Sequence, residues 1–300
     1  MFARKKKFGA SWGTPVLFLA PAVILFGVLF AYPAISSLYV SLCEWTGFTP
    51  RMAYTGWSNF AKLADDERFW HALGNNLWIM AVGGVFFFFF AFLFAAALNH
   101  RRLAGRKFFQ TMIFFPAFIS VVGVAMFWKL IFDSKSGLVN LALRGMGIEG
   151  AQWLSPDNAI NAVIVMVIWG GVGGTMILLL AGMRRIPPDY YDASAIDGAS
   201  APQQFLHITV PMMREVILIA LSLWVIGSVK IFGFVQTLLA PDINDKCQVV
   251  STLQYEYAFS NRKCIFMMGR ATAMAVAQVA IVLVLVGLVR LFREKKSVEY

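Results

Sequence analysis

Long apolar runs separated by short polar loops dominate the chain. A helix that crosses the hydrocarbon core of a bilayer needs about 20 apolar residues. Six stretches meet this requirement: 15–41, 76–98, 109–131, 160–182, 213–238 and 267–290. Phe86–Phe90 and Ile281–Leu288 show no alternation of apolar and polar residues, which argues against the strands of a membrane barrel. Backbone groups in lipid must be hydrogen-bonded within their segment. We therefore predict an all-α, polytopic membrane helix bundle with six transmembrane helices.

Composition agrees with the membrane class. Of the 300 residues, 59% are hydrophobic, above the 45–50% usual for soluble domains. The first run follows a basic segment, Arg4–Lys7, as in a signal peptide, but it is too long and contains Pro21 and Pro33. We predict a retained first span, a basic cytoplasmic tail over 1–14, one transmembrane domain over 15–292 and a cytoplasmic tail over 293–300.

Charged residues predict the orientation. Cytoplasmic loops of membrane proteins carry an excess of Lys and Arg. The two tails and the loops after spans 2 and 4 carry 15 basic residues, against eight in the other loops. We therefore expect both termini and the loop over 184–212 (below, loop 184–212) to be cytoplasmic. The formal net charge of +10 follows from this bias and does not require nucleic-acid binding.

Loop 184–212 begins with signals for a short helix. Pro187-Pro188 ends the preceding helix, because the residue before a proline is pushed away from helical angles. Asp189 fits an N-cap, with Asp192 three residues later in a shortened capping box. Gly198 allows the left-handed turn that closes a helix.

A second short helix follows in the same loop. Ser200-x-x-Gln203 is a capping box with a proline, Pro202, in the first turn. Pro211 marks the approach to span 5. We predict two rigid short helices at an angle, whose small residues a partner protein can approach closely.

These residues resemble the EAA loop of binding-protein-dependent ABC transporter permeases. The family pattern is roughly E-A-A-x-x-x-G, then nine residues, then I-x-L-P. It matches Asp192-Ala193-Ser194, Gly198 and Ile208–Pro211, with Asp for Glu, Ser for Ala and Val for Leu. The string Ile186–Ala199 resembles the sugar-type, maltose-permease-like branch. Segments around Pro21, Trp57 and Asn140 are also similar to the family.

The resemblance implies a subunit without its own catalytic site. It implies half of a translocation pathway, paired with a second, similar permease, with a heterodimer expected. Two cytoplasmic ABC ATPases bind ATP and Mg, and a periplasmic or lipid-anchored binding protein delivers a carbohydrate, polyol or glycerol phosphate. The implied location is the bacterial inner membrane, among its lipids. The implied ATPase-coupling residues are Asp189, Asp192, Ala193, Ser194, Asp197, Gly198, Ile208 and Pro211.

Few polar or aromatic groups within the spans are candidates for the solute pathway. A lysine at the bilayer centre is costly, so Lys230 either faces the bundle interior or snorkels outward. It resembles part of a Lys-x-Phe pattern in the family, but Gly233 stands where an acidic residue is frequent. Trp128 and Trp169 either stack on a sugar ring in the pathway or lie in the helix core or against lipid. Gln236 is a further candidate for the pathway.

Other chemistries lack their motifs. The chain has no GxxxxGK[ST] phosphate loop, and its three histidines lack metal-ligand spacing, so we predict no catalytic, cofactor or metal site. No Asp or Glu lies deep in a predicted span, which argues against the alternative of a secondary transporter or channel. The glycines of Gly170–Gly174 favour close helix packing. Cys247 and Cys264 either pair in one outer loop or remain free thiols.

Overall fold

The structure is a computed structural model that describes residues 13–100, 103–241, 243–259 and 266–291. Within that part of the chain the α-helices are α1 (Gly13–Phe26), α2 (Tyr32–Ser41), α3 (Ser58–Ala64), α4 (Glu67–Trp78), α5 (Gly84–Asn99), α6 (Arg106–Phe114), α7 (Val121–Ile131), α8 (Leu138–Gly145), α9 (Ala159–Met183), α10 (Asp189–Ile196), α11 (Ala201–Gln204), α12 (Val210–Met212), α13 (Arg214–Val229), α14 (Phe232–Leu239), α15 (Val250–Phe259) and α16 (Met268–Leu291). One antiparallel pair, β1 (Cys43–Glu44) and β2 (Ala53–Tyr54), interrupts the helices.

Several helices continue one another without a loop. One π-helical turn, Gly27–Ala31, joins α1 to α2, and another, Ile79–Gly83, joins α4 to α5. A 3-10 turn, Phe115–Phe118, follows α6, and a π turn, Phe205–Thr209, follows α11. Pro33 lies at the start of α2, where a missing backbone N–H is tolerated. Pro116 lies in the turn after α6, where the missing N–H favours a bend in the chain.

Four helices are long and apolar enough to cross a membrane: Pro15–Ser41, Glu67–Asn99, Ala159–Met183 and Met268–Leu291. Two further pairs of helices are together long and apolar enough, but each pair is bent. The angle between Arg106–Phe118 and Val121–Ile131 is 100°, and that between Ala201–Met212 and Arg214–Val229 is 76°. The prediction of an all-helical, polytopic bundle is confirmed in its helical class. Among the described residues, the helices that could cross a membrane number four, or up to six if each bent pair is one span.

The predicted spans 3 and 5 differ from simple continuous helices. The chain bends between Phe118 and Val121, where Ser120 caps α7 by accepting a hydrogen bond from the Gly123 N–H at 3.1 Å. The predicted span 213–238 is divided at Lys230 and Ile231 between α13 and α14. Apolar residues surround the single polar residue at each place, Ser120 and Lys230, so length and mean hydropathy did not reveal the breaks.

Contacts divide the chain into two compact units. The first comprises Met1–Leu63 and Tyr257–Val276. In its described part, Asn59 donates to the carbonyls of Ser41 and Cys43 at 3.0 and 2.8 Å, and Gly269 lies so close to the Cys43 carbonyl that a Cβ would overlap it. These contacts join β1, α3 and the start of α16.

The second unit comprises Ala64–Glu256 and Ala277–Tyr300, and α9 lies at its centre. Gly173 of α9 touches the backbone of Ile113 and Phe114, so the prediction that the glycines of Gly170–Gly174 permit close packing is confirmed at this position. Trp224 of α13 stacks on Phe87 with ring centroids 4.4 Å apart. The helices that flank loop 184–212 therefore enter a well-packed core.

Candidate functional site

The first half of loop 184–212 is a short helix that starts one residue earlier than predicted. Pro188, with φ −60° and ψ −28°, is the N-cap of α10, and Asp189 is its first helical residue. The prediction that Asp189 is the N-cap is therefore wrong. The proline ring holds φ near the helical value, so helical geometry begins at Pro188. Asp189 and Asp192 both lie in the first turn, where carboxylates interact favourably with the helix dipole.

Gly198 closes α10 as predicted. Its φ of +81° lies in the left-handed region that glycine adopts without steric cost. The Gly198 N–H donates to the Ala195 carbonyl at 3.1 Å, and the Ala199 N–H donates to the Ser194 carbonyl at 2.9 Å. This is the hydrogen-bond pattern that satisfies the last carbonyls of a helix. The direction of the chain after α10 therefore depends on Gly198.

The second half of the loop starts at the predicted capping-box pair. The Ser200 N–H and hydroxyl both donate to Gln203 Oε1, at 2.7 and 2.8 Å. Pro202 lies in the first turn of α11, and the chain continues as a helix to Met212 before the 76° bend into α13. The two-helix prediction for this loop is confirmed.

Side chains join the two short helices to each other. Gln204 Nε2 donates to the Tyr191 carbonyl at 3.1 Å and to Ser194 Oγ at 2.9 Å. The Tyr191 hydroxyl hydrogen-bonds the buried Thr209 hydroxyl at 2.9 Å. Tyr191 and Ile208 also pack against the core cluster that contains Met213 of the α12–α13 bend. The loop is thus hydrogen-bonded within itself and packed against the core at the α12–α13 bend.

The opposite face of the loop is open. Ile196 is 88% exposed at the end of α10, and Asp189, Asp192, Ala193, Asp197 and Pro211 are exposed as well. Within the described part of the chain, no ion pair or side-chain hydrogen bond involves Asp192, so it neither pairs nor caps its helix there. A cavity of about 340 Å³ lies beside Gly198, lined among others by Asp197, Gln203 and His207.

Two of the four predicted pathway residues lie together. Trp128 and Trp169 meet edge to face with centroids 5.9 Å apart, and both line a cavity of about 710 Å³. Most of the other lining residues are apolar, with Asn161 as a polar exception. Lys230 and Gln236 do not line this cavity. The structure therefore brings the two tryptophans together and leaves Lys230 and Gln236 apart from them.

Lys230 lies at the break between α13 and α14. It is exposed, and Gln236 lies half-buried on α14. The carbonyls that the break leaves without helical partners accept hydrogen bonds from Asn76 and Gln278. Neither Asn76 nor Gln278 is near Lys230 in sequence, so the sequence pattern gave no sign of this support.

Cys247 is a buried thiol. Its Sγ donates to the Pro156 carbonyl at 3.2 Å. Burial raises the pKa of the Cys247 thiol, and the nearby charge of Asp157 raises it further. Cys264 lies outside the described residues, so its pairing with Cys247 stays a prediction.

Comparison with known proteins identifies the family. The family model described as "Binding-protein-dependent transport system inner membrane component" matches residues 87–298, which include loop 184–212 and most of the second unit. The chain belongs to this family. The family predicted from the 192–211 motif is therefore confirmed, and the alternative of a secondary transporter or channel is set aside.

Individual relatives agree with the family. This permease is 32% identical to the probable ABC transporter permease protein YurN of Bacillus subtilis, over 90% of this chain and 92% of that protein. It is 35% identical to the lactose transport system permease protein LacF of Rhizobium radiobacter, over 72% of each chain. A crystal structure of a bacterial ABC transporter involved in the import of alginate matches with a TM-score of 0.81 and 25% identity, over 95% of this chain and 96% of that chain.

Proposed function

We propose that this permease forms half of the translocation pathway of an ABC importer for a carbohydrate or a related polyol or glycerol phosphate, and that loop 184–212 couples it to separate ATPase subunits. The lactose permease and the alginate transporter among its relatives support a saccharide as the solute. The family's description supports delivery of that solute by a binding protein. The pathway is completed by a second, similar permease, and two ATPase copies bind ATP and Mg.

One observation carries the coupling proposal: loop 184–212 is hydrogen-bonded within itself, packs on the core and exposes Ile196. Hydrogen bonds among Tyr191, Thr209 and Gln204 hold the loop together, and Tyr191 and Ile208 pack it against the core. The side chain of Ile196 is almost fully exposed. A partner protein that covers Ile196 would remove its apolar surface from water, which favours binding. A capped, internally bonded loop transmits force because its helices do not fray.

In this proposal the transporter works by alternating access. Transporters of this kind switch by rigid-body movements of packed helices. Closure of the ATPases shifts the permease only if one of its two states binds them better than the other. In this proposal loop 184–212 is the surface on which that difference in affinity acts, and the chain lies in the bacterial inner membrane with this loop in the cytoplasm.

A photo-cross-linking experiment tests the coupling surface. We would replace Ile196 with a benzophenone amino acid in the transporter assembled in cells, irradiate, and identify the product by mass spectrometry. Capture of an ABC ATPase is expected. Ile148 is a matched control, because it is 52% exposed in a different loop and should not capture the ATPase. Failure at Ile196, or equal capture at Ile148, would contradict the proposal.

A transport measurement tests the solute class. The transporter, with its binding protein, would be reconstituted in vesicles and given radiolabelled lactose, maltose and alginate oligosaccharides, with glycerol 3-phosphate as the charged polyol. ATP-dependent uptake of one of these solutes is expected. Uptake that proceeds without ATP, or in the absence of the ATPase subunits, would instead favour a carrier.

A further inference from the structure

The break in span 5 is held by two side-chain amides from other helices. Asn76 Nδ2 donates to the Ser228 carbonyl at 3.0 Å. Gln278 Nε2 donates to the Val229 carbonyl at 2.8 Å. Both carbonyls belong to the last turn of α13, where the chain leaves helical geometry at Lys230 and Ile231. Side chains from α4 and α16 therefore replace the backbone partners that a continuous helix would supply.

Asn76 is placed to hold more than one segment. It is 1% exposed, and its Oδ1 accepts a hydrogen bond from the Val250 N–H at 2.9 Å. One buried amide thus bridges α4, the end of α13 and the start of α15. Losing either partner of a buried hydrogen bond leaves the other group unsatisfied, which is costly. The buried amide therefore fixes these segments relative to one another.

A broken helix at membrane depth requires such support. Helix breaks within a membrane are tolerated where neighbouring side chains or water satisfy the freed backbone groups. In secondary transporters, discontinuous helices form the solute site, where unwound backbone groups face the substrate or coupling ion. Here the unwound residues include Lys230, whose side chain is exposed.

The neighbouring helix α14 restrains the other side of the break. A Cβ built at Gly233 would lie 3.0 Å from Val121 Cγ1, so α14 packs tightly on α7 at its first turn. Ser228 is itself buried, and its hydroxyl donates to the Val225 carbonyl at 3.0 Å. The break is thus an ordered feature with fixed neighbours on each side.

We propose that Asn76 and Gln278 are positioning residues that hold span 5 broken at Lys230 and Ile231 and so keep this unwound segment as a polar element of the solute pathway. The proposal rests on the proposed function for the role of the segment, but the hydrogen bonds that fix the break do not depend on it. Neither amide touches the solute in this proposal. They act through the backbone of α13.

The test compares Asn76→Leu and Gln278→Leu with Asn75→Leu. Asn75 is a matched control because it is also an amide on α4, but it donates to the carbonyls of Lys246 and Gln248 at 2.8 and 2.7 Å rather than to the break. Amide hydrogen exchange of the assembled transporter in lipid nanodiscs would be followed by mass spectrometry. It requires no sugar. Thermal unfolding midpoints within a few degrees of wild type would show that each variant is folded.

In Asn76→Leu and Gln278→Leu, we expect exchange over residues 226–234 to become about tenfold faster, the effect of losing roughly one buried hydrogen bond. Asn76→Leu should also speed exchange at the start of α15, because the Val250 N–H loses its acceptor, and the remaining segments should be unchanged in both variants. Asn75→Leu should leave 226–234 as in wild type. Unchanged exchange there, slower exchange there, or acceleration spread over the whole chain would each overturn the positioning role.

Uptake of the radiolabelled sugar that wild type transports separates this inference from the proposed function. The maximal uptake rate should fall at least about fivefold in the two break variants and stay within about twofold in Asn75→Leu, in line with the loss or retention of those hydrogen bonds. Faster exchange without loss of uptake would overturn the place of this segment in the pathway. Absence of sugar uptake by wild type would count against the proposed function alone, since the exchange measurement still decides the positioning role.

Discussion

At the scale of single residues, Gly198 has the most specific structural requirement. A Cβ there would meet no atom within 4 Å, but the φ of +81° disfavours any side chain by about 1 kcal/mol. We predict that Gly198→Asp changes the direction of the chain after α10 and uncouples transport. Sugar uptake should fall at least about tenfold while ATP hydrolysis continues, measured together in reconstituted vesicles.

Gly145→Asp is the control for this prediction. Gly145 also has open space around its Cβ position, but its φ is not in the left-handed region. It should retain the wild-type ratio of sugar transported to ATP hydrolysed. If Gly198→Asp transported normally, a mechanical role for this turn would be refuted.

Lys230 is the charged residue at the break in span 5, so its substitution tests whether the break contacts the solute. Within the described residues 214–239, which cover α13, α14 and the break between them, Lys230 is the only lysine. Its side chain is exposed. We predict that Lys230→Ala lowers the maximal uptake rate at least about fivefold, because a donor to solute hydroxyl or phosphate oxygens is lost. Lys135→Ala, which removes an exposed lysine from the loop before α8, should transport normally. Wild-type kinetics in Lys230→Ala would place this side chain outside the pathway.

At the scale of elements, Asn140 organises the loop between α7 and α9. It is fully buried, and its Nδ2 donates to the carbonyls of Asp133, Ser134 and Ala151, while its Oδ1 accepts from the Ala151 N–H and Trp153 Nε1. Asn140→Leu keeps the size but leaves these backbone groups unsatisfied, at about 1–3 kcal/mol for each buried group. The unfolding midpoint should fall by roughly 5 °C or more.

Asn158→Leu is the comparison for Asn140. Asn158 is exposed, and among the residues that the structure describes its amide donates only to the Gln152 carbonyl, at 3.2 Å. Its unfolding midpoint should stay within about 2 °C of wild type, since an exposed group is satisfied by water. Equal midpoints for the two variants, measured in the same detergent, would contradict the organising role of Asn140.

Local signals explain why some elements were predictable and others were not. Gly198 and the Ser200–Gln203 pair act on backbone groups within a few residues. The end of α10 and the start of α11 could therefore be predicted from the local sequence. The N-cap of α10 was misplaced because a proline's fixed φ outweighed the capping preference of Asp189. The break at Lys230 was missed because its cause lies in Asn76 and Gln278, 154 and 48 residues away in sequence.

At the scale of the whole molecule, the chain leaves a large apolar surface for other molecules to cover. In the helix Pro15–Ser41, none of the 18 consecutive residues with the highest mean hydropathy is buried. Side chains such as Phe18 are largely exposed. Lipid tails or the helices of a second permease would cover this apolar surface without leaving a polar group unsatisfied. This agrees with a subunit that is one half of a pathway.

The orientation of the chain is the last prediction, and it follows from charge alone. Basic residues concentrate in the tails and in the loops after spans 2 and 4, which predicts that loop 184–212 is cytoplasmic. We would introduce Ala195→Cys in that loop and Ser134→Cys in the loop before α8, both at exposed positions, in a Cys264→Ser background. Cys43 and Cys247 are buried, and burial raises the pKa of the Cys247 thiol, so both should react slowly.

A membrane-impermeant maleimide applied to spheroplasts should label Ser134→Cys and spare Ala195→Cys until the membrane is opened. The reason is physical: moving the loops that carry most of the basic residues to the outer face would reverse the charge bias that sets topology. Labelling of Ala195→Cys from outside intact spheroplasts would place loop 184–212 away from any cytoplasmic ATPase. That single result would remove the basis for coupling through this loop, even though the family of the chain would stand.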